Sequence, residues 1–258
     1  MNFDIIFELL KDVAKLGLIV TCLFSVFSAY VRHYQPVWSL PLEKRRLTTL
    51  LALVLAASAI KVSEDVLGGE SGPIDRVILL YIHSHVSGAF TGFFEAVSFT
   101  GSSRFLFPLV AVVTLGLLWA KHRFEALLVS ASVIAAVVMI YLVKMAVGRV
   151  RPKLWETELY WGSSYPSGHT LAVAAFATAI TLVVNRRWPK AGMLALSIAV
   201  VWTSLVALSR LVLGVHWPTD VLVAACVGAF LPLVMGVVFE LRKSALQSLA
   251  RRFLNLKR

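Results

Sequence analysis

Acidic residues are scarce in this chain. Fourteen Asp and Glu stand against 25 Lys and Arg in 258 residues, and charged residues of both signs make up only 15%. A soluble domain carries roughly a quarter of its residues charged, so an ordinary soluble domain is excluded. Cysteine is rarer still. Cys22 and Cys226 lie inside apolar runs, which excludes a disulfide framework or a cysteine zinc site. No internal repeat, linker or low-complexity segment interrupts the chain, and its start lacks the small-residue cleavage site of a signal peptide.

Apolar residues are abundant instead: 59% of the chain, with a mean hydropathy of +0.81. Seven runs have the composition of membrane spans: Leu16–Val31, Leu47–Ile60, Phe105–Ala120, Ala126–Val143, Thr170–Val184, Ala191–Ser209 and Val221–Phe239. Several fall short of the ~20 residues a crossing needs, so their polar ends must be drawn in. The expected fold is all-α, a polytopic membrane helical bundle. Val77–Phe94, interrupted by His83 and His85, predicts one helix lying in the interface. Asp4, Glu8, Lys11, Asp12 and Lys15 share one helical face and predict an amphipathic lead-in helix. Residues 1–46 are expected to form that lead-in, an extra span and a cytoplasmic connection. Residues 47–241 form the membrane core, and 242–258 a basic cytoplasmic tail.

The net charge of +11 is accounted for by loops that orient spans, not by nucleic acid. With seven spans, one side of the membrane carries 15 Lys and Arg and the other 10. The richer side is expected to be cytoplasmic and the N-terminus external.

Three polar clusters sit at run ends. The first, KMAVGRVRP, holds Lys144 and Arg151, a point charge and a planar fork suited to anionic oxygens. The second, YPSGHT, holds Ser167, Gly168 and His169 at a helix start, where free N–H groups favour phosphate. Ser167 is a candidate helix cap. The third, SRLVLGVHWPTD, holds Ser209, Arg210, His216 and Asp220. If that segment is helical, the four-residue spacing puts His216 and Asp220 on one face. The aspartate then fixes one imidazole nitrogen and leaves the other free to react. Taken singly, each cluster has a plain explanation: snorkelling side chains, a helix start, a structural ion pair. The order of spans, however, brings all three to one membrane face. Three cations, a helix start and two histidines together suit an oxyanion and suggest phosphoryl transfer.

In these motifs the sequence resembles the type 2 phosphatidic acid phosphatase family: Lys144 with Arg151-Pro152, Pro166-Ser167-Gly168-His169, and Ser209-Arg210 with His216 and Asp220. The resemblance covers residues 47 to 239 and implies a six-helix phosphatase core, to which the N-terminal span and interfacial helix are additions. It implies that His216 attacks phosphorus, Asp220 orients it and His169 protonates the leaving oxygen. It implies phosphate binding by Lys144, Arg151, Ser167, Gly168 and Arg210, with no metal and no cofactor. The implied substrate is a lipid phosphate: undecaprenyl diphosphate, phosphatidylglycerol phosphate or phosphatidic acid. The expected location is the bacterial inner membrane, with the site on the external or periplasmic face. Membrane lipids are the other expected partners, nucleic acid is not, and oligomeric state is open. A phosphotransferase on the same site, a transporter and a non-catalytic anion binder are the alternatives. Arg149 and Lys153 lie outside the family pattern and are expected to stay solvated. His83 and His85 are expected to be interfacial, and Trp155, Trp161 and Trp217 to be interface anchors.

Overall fold

The structure, a computed structural model, describes residues 3–86, 88–155 and 162–255. Ten α-helices follow one another, and no strand occurs among the described residues. They are α1 (Phe3–Tyr34), α2 (Pro36–Lys44), α3 (Arg46–Leu67), α4 (Gly72–His85), α5 (Thr91–Thr100), α6 (Ser103–Trp119), α7 (Arg123–Val147), α8 (Gly168–Arg187), α9 (Gly192–Val212) and α10 (Pro218–Asn255). The architecture is a membrane helical bundle. Among the described residues, five segments are long and apolar enough to cross a bilayer: Ala14–Tyr34, α7, α8, Pro189–Val212 and Pro218–Gln247.

Two sequence expectations change. The lead-in and the first apolar run are one continuous helix, α1, because no breaker separates them. The stretch Val77–Phe94 is not one interfacial helix. It is divided between α4 and α5, which meet at 90° across a short 3₁₀ turn at Gly88–Phe90, and the pair together is apolar enough for a sixth crossing. The run Phe105–Ala120 forms α6, only 17 residues long.

The chain divides into two compact units, residues 1–58 with 233–258, and residues 59–232. In the first, Arg45 grips Glu240 with both arms of its guanidinium, at 2.5 and 3.1 Å. The second holds every motif. Its central helix, α8, is buried around most of its circumference by small and branched residues, among them Leu171, Val173, Ala174, Ala175 and Ala179. Lipid tails are as apolar as leucine, so helices in a membrane associate through close packing of small residues. Gly228 on α10 shows how close. A Cβ there would sit 2.4 Å from the Leu171 carbonyl oxygen and 2.7 Å from the Ala174 Cβ. Ala136, Leu171, Ala175 and Ala224 form a fully buried cluster around this contact. Large apolar side chains such as Val112, Leu115, Ile134, Met193 and Ile198 are exposed, as expected of a surface meeting acyl chains.

Candidate active site

All three motifs meet at one end of the second unit. Lys144 is in the last turn of α7, which stops at Gly148 in the left-handed conformation (φ +62°). The connection that follows carries Arg149 and Arg151. It folds back so that Lys144 Nζ donates to the Ser163 carbonyl at 3.0 Å. Arg151 donates from Nη1 to the Val215 carbonyl (2.8 Å) and from Nε to the Gly162 carbonyl (3.2 Å). The same Nη1 lies 3.4 Å from His216 Nε2.

Ser167 stands at the N-cap of α8, but its side chain makes no capping bond. Its hydroxyl meets Thr170 Oγ1 at 3.0 Å, and its backbone N–H donates to the Asp220 carbonyl at 3.2 Å. That second bond joins the start of α8 to the start of α10. Gly168 has room for a side chain, since a Cβ would only touch Ile140 at 3.6 Å, so internal packing does not demand glycine there. His169 lies within the electrostatic reach of Arg210, His216, Lys144 and Arg151. It packs against Gly101, where a Cβ would come within 3.1 Å of the His169 Cβ and 2.9 Å of Val206. Arg210 is buried at the end of α9 and donates to the Ser98 hydroxyl on α5.

His216 and Asp220 do not share a helical face. His216 precedes α10, which begins at Pro218, a residue suited to a first helical position. A turn through Gly214 (φ +68°) brings the chain there, and a Cβ at Gly214 would collide with Trp155 at 2.7 Å. Asp220, in the first turn, reaches back so that Oδ2 accepts the Trp217 N–H at 2.9 Å, half of a capping box. The same oxygen is 3.5 Å from His216 Nδ1. With Arg151 beside Nε2 and a carboxylate beside Nδ1, the neutral tautomer that fits carries its proton on Nδ1. Its Nε2 lone pair then faces the cations. Burial pushes the His216 imidazole down to about 4, against the upward pull of Asp220.

Arg149 corrects an expectation. It is not solvated. Its guanidinium donates to Asp220 at 2.5 Å and to Asp75 at 2.7 Å, and lies 5.7 Å from the Trp217 ring. Both carboxylates are fully buried, and the guanidinium between them is largely so. Lys153 is exposed. The flanking tryptophans also do more than anchor. Trp217 donates from its indole to the Val150 carbonyl (2.9 Å), and Trp155 stacks on His83 with centroids 3.9 Å apart. Trp161 lies outside the described residues. His85 stacks on Tyr81. Among the described residues, no group of three or more His, Cys, Asp or Glu is placed to hold a metal.

Sequence reasoning missed Asp75, Ser98 and Gly101. Asp75 and Ser98 are buried polar residues within apolar stretches of their helices, which is the signal that marks them.

The PAP2 superfamily model matches residues 125–243. Phosphatidylglycerophosphatase B of Escherichia coli (strain K12) is 41% identical over 73 residues, 28% of this chain and 27% of the relative, so the match spans about a quarter of that relative's length. Phosphatidylglycerophosphatase B of Bacillus subtilis (strain 168) is 26% identical over 185 residues, 70% of this chain and 88% of the relative. The fold is similar to the crystal structure of a transmembrane PAP2 type phosphatidylglycerolphosphate phosphatase from Bacillus subtilis. The TM-score is 0.68 at 23% identity, covering 73% of this chain and 96% of that one. All three motifs of this chain, from Lys144 to Asp220, fall within the residues that the PAP2 superfamily model matches.

Proposed function

We propose that this chain is an integral membrane lipid phosphatase working through a phosphohistidine. The observation that carries the reading is the pairing at His216: Nδ1 beside the Asp220 carboxylate and Nε2 beside Arg151. A nitrogen that carries no proton, its lone pair turned to cations that gather phosphate oxygens, suits an in-line attack once the phosphate takes over Arg151. In the first step the Nε2–P bond forms and the P–O bond to the lipid breaks. His169 gives its proton to the departing lipid oxygen. The arriving phosphate dianion favours the protonated form of His169 that this step requires. Lys144, Arg151 and Arg210, with Ser167 and the Gly168 N–H, spread the charge on the remaining oxygens. In the second step water attacks phosphorus, His169 takes its proton, the N–P bond breaks and inorganic phosphate leaves. Three side-chain cations supply the charge that a metal provides in other phosphatases, so the reaction is proposed to need none.

Relatives bearing the name phosphatidylglycerophosphatase B support phosphatidylglycerol phosphate as the first substrate to try, before phosphatidic acid and undecaprenyl diphosphate. The basic residues of the turns at 121–123 and 186–190 and of the tail, on the side opposite the motifs, support an inner-membrane orientation with the site on the periplasmic face. The deciding assay is phosphate release from these three lipids in detergent, with and without chelator. Release that survives chelation is expected. A folded sample that releases phosphate from none of them would refute the reading, and loss on chelation would refute the metal-free part.

A further inference from the structure

Beyond the three motifs lies a buried cluster that no phosphate contact requires. Asp75, fully buried on α4, accepts the Thr219 N–H through Oδ1 at 2.9 Å. Its Oδ2 accepts the Thr219 hydroxyl and Arg149 Nη2, both at 2.7 Å. Arg149 Nη2 also reaches the Ser71 hydroxyl at 3.2 Å. Arg149 Nη1 donates to Asp220 Oδ1 at 2.5 Å and to Thr219 Oγ1 at 2.9 Å. A single guanidinium therefore spans two buried carboxylates, and the second of them is the partner of His216.

We propose that Asp75 and Arg149 are positioning residues for His216, acting through Asp220. The proposal rests on the phosphatase reading above. Asp220 has two oxygens with different tasks. Oδ2 faces the Trp217 N–H and His216 Nδ1, while Oδ1 meets Arg149. Held only at Oδ2, the carboxylate can swing about its terminal torsion, a broad and soft one. Held at both oxygens, it cannot turn, so the imidazole keeps its tautomer and Nε2 keeps its aim. Asp75 completes the clamp from a different helix. It fixes the orientation of Arg149 and, through Thr219, the first turn of α10 from which Asp220 projects. Arginine is needed because only a planar fork presents separate N–H groups to two carboxylates. The clamp explains why an acidic residue is buried at position 75, where an uncompensated charge would be costly.

The test uses the full chain in detergent with phosphatidylglycerol phosphate and with a soluble aryl phosphate. Arg149→Gln is expected to lower kcat on the order of 100-fold, the cost of slight misplacement of a reacting group, with KM within about threefold. Asp75→Asn keeps the shape and an acceptor for Thr219, and is expected to lose about tenfold in kcat, again with little change in KM. Arg149→Lys should recover part of the loss, since one ammonium reaches one carboxylate. The double variant should be no slower than Arg149→Gln alone, because Asp75 acts through Arg149. A rise in KM with kcat intact would place Arg149 on the substrate and overturn the proposal. So would kcat within about threefold of the parent in Asp75→Asn and Arg149→Gln. If Arg149→Gln fails to fold, the kcat and KM of Asp75→Asn decide alone. The parent and His216→Ala separate the two claims. A parent as inactive as His216→Ala removes the phosphatase reading and this proposal with it. An active parent whose clamp variants are undisturbed removes this proposal only.

Discussion

Replacing Arg151 by lysine keeps the charge and removes the fork. Arg151 makes two well-formed bonds with the protein, to the Val215 carbonyl at 2.8 Å and the Gly162 carbonyl at 3.2 Å, and presents Nη1 3.4 Å from His216 Nε2. One ammonium cannot reach both carbonyls and a phosphate oxygen together. The Val215 carbonyl belongs to the turn carrying His216, so its loss loosens the nucleophile as well. The structural part of the cost is about 1–2 kcal/mol, because the side chain is half-buried and water reaches its partners. The catalytic part is larger. A donor to developing phosphate charge is worth about 2–4 kcal/mol, which is roughly 30- to 900-fold in kcat/KM. The assay pairs kcat/KM on phosphatidylglycerol phosphate with thermal unfolding in the same detergent. The expected result is a loss in that range with a small fall in Tm. Near-normal kcat/KM in a folded Arg151→Lys protein would refute the assignment. So would a loss that disappears once the temperature is lowered to restore the folded fraction, since Arg151 would then be scaffold alone.

His216 attacks only when neutral, and burial sets its value near 4, so the acid limb of kcat/KM should lie near 4, while the need for a protonated His169 makes activity fall on the alkaline side as well, giving a bell. An acid limb centred at the unperturbed 6.5 would contradict the buried geometry. Gly228→Ala forces a Cβ to 2.4 Å from a backbone oxygen that cannot move without shifting α8. It should cost on the order of 2–3 kcal/mol, read as a fall in Tm and in activity, and an unchanged Tm would contradict the close approach. His169→Ala should form phosphoenzyme from an aryl phosphate far better than from a lipid, because a phenol leaves without a proton. It should then stall with label on His216 under rapid quench, whereas equal impairment with both substrates, or label trapped in His216→Ala, would contradict the roles given to the two histidines.

The sequence by itself determined the fold class and the meeting of the three motifs. Apolar runs of that length fold as helices wherever water is absent, and helices that alternate direction return Lys144, Ser167, Arg210 and Asp220 to one end. What the sequence left unreadable depends on which distant surfaces touch. Spacing suggested a helical His216–Asp220 pair, but Pro218 leaves His216 outside the helix, and the contact comes from a turn through Gly214. Arg149 resembled any solvated residue beside a motif until folding placed Asp75 within 2.7 Å, 74 positions earlier in the chain. Ser98 and Gly101 looked like ordinary residues of an apolar stretch, yet one meets Arg210 and the other lets His169 pack against backbone. Periodicity records which side of a helix is apolar, but a lipid-facing side and a helix-facing side are equally apolar. Only packing in three dimensions separates them, and that packing places the second carboxylate, the serine and the glycine around the site.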